Sequence, residues 1–302
     1  MMLSIFNVIL ALLLAPLLLG IINRTKAFFA GRNGQPILQA YYDLAKLLRK
    51  GATYSRTTTW IFRAGPIVGL ACVLVAVTLM PLGGVPSLIA FPGDLVLFAY
   101  VLGLMRFFTV LAALDTGSSF EGMGASREVQ FSALAEPALL LGLAAIGHTT
   151  DAYSLSQMFA TLSAAMSAQT VPVIALIAAA FVVVFLTENA RIPVDDPNTH
   201  LELTMIHEVM VLDHSGPDFA FILYGAALKL WVLGALIVNL IAPVRTGRVA
   251  LDIAIAWIVL LALTITVGII ESSMARLRLT RVPQLLAGAV VLSGLAFILM
   301  LR

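Results

Sequence analysis

Eight runs of mainly apolar residues divide this chain of 302 residues. Each has close to the roughly 20 residues that a helix needs to cross the hydrocarbon core of a bilayer. They fall at about 3–22, 61–82, 94–114, 129–148, 170–188, 219–242, 250–271 and 283–301. Lipid offers no partner to an unpaired backbone group, so runs of this length read as helices. Charged residues make up only 11% of the chain, against roughly a quarter in soluble domains, which excludes a water-soluble enzyme. The connections are too short for a separate soluble domain and no repeat stands out. The expected fold is therefore one all-α, polytopic membrane domain over residues 1–302. The first run follows no positive n-region and is long enough to span, so it reads as a retained helix rather than a cleaved signal.

Lys and Arg set the expected orientation. Thirteen of the 18 lie on one side, eight of them between Arg24 and Arg63 and the rest at Arg127, Arg191, Arg276, Arg278 and Arg281. Three, Arg245, Arg248 and Arg302, lie on the other, and Arg106 and Lys229 fall within spans. Both termini are thus expected outside. In the first connection, Gln39 to Lys50 places Leu44, Leu47 and Leu48 on one face and Lys46, Arg49 and Lys50 on another. That pattern predicts an amphipathic helix at the cytoplasmic interface, with snorkelling cations or a platform for a peripheral subunit.

The fifth connection carries the acids. Between the fifth and sixth runs lie Glu188, Asp195, Asp196, Glu202, Glu208, Asp213 and Asp218, with three histidines and one cation, Arg191. Asp196 as cap, Pro197 as first residue and Gly216-Pro217 as terminator predict a helix there, apolar on all sides and so buried by neighbouring protein. His200, His207 and His214 recur every seven residues, which on a helix separates neighbours by about 10.5 Å, too far to share a metal ion. A histidine beside a carboxylate, as in His207-Glu208 or Asp213-His214, suits proton exchange near neutrality or a buried hydrogen bond.

Ionisable groups inside spans are costly and mark function or static pairing. Glu136, followed by Pro137, Lys229 and Arg106 are such groups, and Glu188 and Glu271 close two spans near Asp115. The connection 115–128 joins three glycines to Asp115, Glu121, Arg127 and Glu128, without a nucleotide-binding glycine motif. Cys72 is the single cysteine, which excludes a disulfide framework or an iron–sulfur site within the chain. Nothing in the charge pattern points to nucleic acid.

Four stretches, MRFFTVLAALDTGSSFEGMGASRE (105–128), ENARIPVDDPNTHLELTMIHE (188–208), LDHSG (212–216) and ESSMARLRL (271–279), resemble the subunit 1 family of respiratory complex I. They resemble still more the counterpart in membrane-bound group 4 nickel–iron hydrogenases, including the formate hydrogenlyase membrane subunit. GRNGQPILQAYYDLAKLLRK (31–50) is similar to a further family segment, with Asn33 in place of an arginine and Gln35 in place of a glycine. The resemblance implies a non-catalytic subunit of the inner membrane that anchors a peripheral arm of hydrogenase small and large subunits on its cytoplasmic face. Iron–sulfur clusters and the nickel–iron centre would sit in those partners, and antiporter-like membrane subunits would receive a proton path. That path would use Glu136, Glu188, Glu202, His207, Glu208, Asp213, Lys229 and Glu271. Docking and loop structure would fall to Arg32, Asp43, Lys46, Asp115, Glu121, Arg127, Glu128, Arg191, Asp195 and Asp196. HLELTMIHE stands where complex I has an acid-rich, quinone-facing sequence, which counts against a quinone here. The alternatives are the quinone-site subunit of a complex I-type NADH:quinone oxidoreductase, and a stand-alone transporter, for which no inverted repeat is evident.

Overall fold

The computed structural model describes residues 1–196, 205–243 and 245–301. Eight helices are long and apolar enough to cross a membrane. In chain order they are α1 (Met2–Phe29), α3 (Trp60–Leu79), α4 (Asp94–Asp115), α5 (Ser119–Thr150), α7 (Thr170–Glu188), α8 (Gly216–Ile241), α9 (Val249–Ser273) and α10 (Val282–Met300). Two shorter helices complete the set: α2 (Gln39–Leu48) in the first connection and α6 (Leu155–Ala165) between α5 and α7. The chain is thus a multi-pass membrane protein, all-α among its described residues.

Packing follows from which helices are apolar all round. In α8, Leu228, Leu230, Trp231, Val232 and Leu233 are all buried although they point in every direction, which makes α8 the central helix. The buried share of its span is 67%, against 22% for α4, which therefore lies at an edge of the bundle. α3 packs on α4 and α8, α10 on α5 and α7, and α1 on α9. Leu44, Leu47 and Leu48 do place an apolar stripe on α2, and none of its residues is buried by this chain. The helix is positioned to lie along a surface.

α5 is too long to be a span alone. Its 32 residues extend about 48 Å at 1.5 Å each, some 18 Å beyond a hydrocarbon core of about 30 Å. The connection read as a loop over 115–128 is helical from Ser119, and its glycines do not break it. Gly124 faces Val209, Met210 and the Ile206 carbonyl so closely that a Cβ would collide with them. The glycine is a packing device, which brings the fifth connection against α5.

The helix expected from Pro197 to Gly216 is corrected over its described part. Residues 197–204 lie outside the described residues. From Met205 to Ser215 the only helical element is a 3-10 turn over Glu208–Val211. Tertiary partners take the backbone groups a helix would use: the Asp195 carboxylate accepts from the amides of Ile206 and His207, and Arg127 donates to the Met205 carbonyl. Gly216 and Pro217 open α8 instead of closing a helix. Gly216 has φ 57° and lies against the Gly51 backbone, where a side chain would be both strained and obstructed. The argument from histidine spacing on a helix accordingly does not apply to His207 and His214.

Candidate functional site: a buried ion network

Arg106, near the middle of α4, is the hub. Its Nε lies 3.1 Å from Oε1 of Glu128 on α5. Its two terminal nitrogens pair with Glu136, about two turns further along α5, and with Glu188 at the end of α7. Lys229 of α8 places Nζ 3.2 Å from the other oxygen of Glu188. Four helices therefore meet through two cations and three carboxylates. The guanidinium suits this role because its planar fork can serve several acceptors at once. Burial differs sharply within the set: the Glu188 side chain is 10% exposed and that of Glu136 is 49% exposed.

The network continues out of the spans through His207. Its Nε2 is 3.1 Å from Oε2 of Glu128, and its Nδ1 is 3.4 Å from Oδ2 of Asp195. Asp195 is itself fixed by the amides of Asp196, Ile206 and His207 and by Arg276 Nη2 at 2.8 Å. Burial alone would lower the proton affinity of His207, but Glu128 and Asp195 outweigh it and hold the imidazole above its usual range. Burial pushes the Asp195 carboxyl up, yet His207 and Arg276 hold it below the usual carboxylate range.

Glu271 belongs to a separate triad. Its buried carboxylate lies 2.8 Å from Lys26 Nζ of α1 and 3.3 Å from Arg191 Nη1. Glu121 stands apart too, buried in the first turn of α5, where it accepts from the Asp213 amide at 3.2 Å. Asp115 accepts from the amides of Thr59 and Phe62 and from the Thr59 hydroxyl, capping the N-terminus of α3. Arg127 bonds Met205 rather than the acids beside it in sequence. Asp43 accepts from Gln39 within α2, Lys46 occupies the last turn of that helix, and Arg32 is exposed beyond α1. Glu208 begins the 3-10 turn, next to His207. Glu202 lies outside the described residues.

His214 has a different environment from His207. Its ring stacks on Phe62 at 3.9 Å, and burial pulls its pKa down to about 4 despite Asp218 and Asp213. It also borders an apolar cavity of about 30 Å³ between α3, α4 and α8, lined by Gly65, Gly69, Met105, Thr109 and Phe221. That space accommodates a water-sized group. No cluster of three or more potential metal ligands occurs among the described residues.

Arg106, Arg276 and Lys26 were absent from the residues assigned to the site by sequence. Arg106 had a signal, a cation in mid-span. Arg276 and Lys26 were legible only as cations that orient the chain, since nothing local reveals a partner far away in sequence.

The model of the family described as NADH dehydrogenase matches residues 1–302. Formate hydrogenlyase subunit 4 of Escherichia coli (strain K12) is 32% identical over 294 residues, covering 95% of this chain and 94% of that protein. Hydrogenase-4 component C of the same organism is 31% identical over 274 residues, covering 90% and 85%. Among solved structures, the membrane-bound sulfane sulfur reductase, an archaeal respiratory membrane complex, contains a chain with TM-score 0.82 and 18% identity, each covered to 98%. That last likeness speaks for the fold.

Proposed function

This chain belongs to the NADH dehydrogenase family, and on that premise we propose that it is the membrane-anchor and proton-path subunit of a formate hydrogenlyase-like, group 4 nickel–iron hydrogenase of the inner membrane. Two bacterial relatives carry the names formate hydrogenlyase subunit 4 and hydrogenase-4 component C. The cytoplasmic ends of the helices, with α2 and the fifth connection, dock hydrogenase small and large subunits that hold the iron–sulfur clusters and the nickel–iron centre. Antiporter-like membrane subunits adjoin the chain within the bilayer.

The single observation behind this reading is continuity. Asp195 lies within ion-pair distance of His207, His207 of Glu128, and Glu128 of Arg106, which also pairs with Glu136 and with Glu188, the latter in turn with Lys229. The chain of contacts runs from a connection at the membrane edge to a half-exposed carboxylate inside a span. A change of charge in a docked redox arm can therefore alter proton occupancy deeper in the membrane without any large movement.

The test is Glu136→Gln in the assembled complex, which keeps size and hydrogen bonding and removes the titratable group. Normal assembly with loss of redox-driven proton translocation is expected. Normal assembly with a parent-like ratio of protons to electrons removes Glu136 from the route, and failure of assembly marks it as a structural ion pair.

A further inference from the structure

We propose that the network around Arg106 stores one exchangeable proton and that His207 loads it, passing the proton from its Nε2 to Oε2 of Glu128. This rests on the proton-path reading above and adds to it an entry residue and a stoichiometry.

The charge balance carries the inference. Arg106 and Lys229 face Glu128, Glu136 and Glu188, so the set within the spans has two cations and three carboxylates and is one positive charge short. An uncompensated charge is expensive in a low-dielectric setting. His207 touches the set from the fifth connection, and both of its ring nitrogens face carboxylates. Neither nitrogen is aligned for a hydrogen bond in this arrangement, but at 3.1 and 3.4 Å from two carboxylates a positive ring is favoured over a neutral one. Protonated His207 therefore supplies the missing charge at the place where the set meets the membrane edge.

The groups around His207 fit this role. Glu128 faces it from α5 and Asp195 from the loop after α7, with Arg276 bound to the other oxygen of Asp195. Lys229 of α8 acts on it through space and opposes its protonation, and Glu208 follows it in the chain. The acids prevail, so the ring holds its proton more firmly than a free imidazole. Its side chain is 22% exposed while both ring nitrogens are buried, so the next proton reaches it from water or a docked subunit when the ring or its cover shifts.

In the transfer the Nε2–H bond of His207 breaks and an O–H bond forms on Glu128. His207 and Glu128 both become neutral, and Arg106 and Lys229 then balance Glu136 and Glu188. The group is neutral before and after the step. Only when His207 takes up another proton does the total charge rise by one, which favours release of the stored proton further along the route.

The test uses the assembled complex in proteoliposomes, with redox-driven proton movement followed as a function of pH and infrared difference spectra of the carboxylic acid region. His207→Gln removes the charge, so a protonated carboxyl band should appear at neutral pH and translocation should be lost. His207→Arg keeps the set neutral, so assembly is retained and no such band appears. Translocation should be lost here too, because a guanidinium does not release its proton. Should His207→Gln fail to assemble, His207→Arg still decides. Parent-like translocation and an unchanged pH profile in the assembled His207 variants overturn the inference. Parallel measurement of Glu136→Gln separates the two levels. If that variant is uncoupled while the His207 variants are not, only this inference falls; if all are parent-like, the proton-path reading falls with it.

Discussion

Lys229 on α8 places its ammonium 3.2 Å from Oε2 of Glu188 at the end of α7, a buried pair that joins the central helix to its neighbour. Removing one partner leaves the other charge poorly compensated, which costs about 3–5 kcal/mol at buried pairs. Lys229→Met should accordingly lower the apparent unfolding temperature of the detergent-solubilised complex. Lys229→Met combined with Glu188→Gln should recover part of that loss. A double variant no more stable than Lys229→Met alone would show that the two residues are not coupled.

Gly124 and Gly122 provide a matched pair on α5. A Cβ at Gly124 overlaps Val209, Met210 and the Ile206 carbonyl, whereas Gly122 has open space around it. Gly124→Ala should destabilise the contact between α5 and the fifth connection by about 1–3 kcal/mol, the range for overpacking. Gly122→Ala should be neutral or stabilising by up to about 1 kcal/mol through helix propensity. Limited proteolysis of residues 205–215 reads the difference, with faster cleavage expected only in Gly124→Ala.

The order of the fifth connection should depend on pH in three ways. Asp195 is held below its ordinary value, so its contribution is full above that value and is lost as pH falls through the lowered one. His207 is held above its ordinary 6.5, so its contribution is complete below 6.5 and is lost as pH rises through the raised value. His214 is held down at about 4, so folding favours its neutral form, and stability falls as pH drops from 6.5 toward 4. Protection factors of the amides at residues 205–215, corrected for intrinsic pH-dependent exchange, should therefore fall on both the acidic and the alkaline side. His207→Gln should abolish the alkaline limb, and survival of that limb would assign it to another group.

From the excess of cations on one side we propose that both termini lie outside and the first connection in the cytoplasm. Cys72 is the chain's single cysteine and is buried, so added cysteines report with little background. Lys50 and Arg248 are both exposed and lie in connections on opposite sides. A membrane-impermeant thiol reagent applied from outside should label Arg248→Cys in intact cells, and Lys50→Cys only after the membrane is opened. The reverse pattern would invert the topology.

Asp115 closes α4 and caps α3 in the same stroke, accepting from the Thr59 amide at 2.7 Å and the Phe62 amide at 3.3 Å. Asp115→Ala should cost about 0.5–2 kcal/mol, the range for a lost cap. Asp115→Asn should recover part of it, because an amide oxygen still accepts those bonds. Thermal unfolding of the two variants side by side checks the assignment.

The eight spans, the amphipathic α2 and the crowding of acids into one connection were written in the sequence. Each depends on local spacing along one segment, and in a membrane the backbone has almost no choice but to form helix wherever twenty apolar residues run together. The same local reading marked Glu136, Lys229 and Arg106 as costly. It could not say that Arg106 would gather Glu128, Glu136 and Glu188, or that Glu271 would turn away to Lys26 and Arg191. Arg106 and Glu188 are 82 residues apart, and Glu188 and Lys229 are 41 apart. Which of these charges meet depends on how each helix is rotated and how deeply it sits against its neighbours, quantities that no single segment encodes. The described part of the fifth connection shows the same limit from the other side. Its sequence is good enough for a helix, but Asp195 and Arg127 bind its backbone groups first, and tertiary hydrogen bonds outweighed a local preference worth only tenths of a kcal/mol per residue.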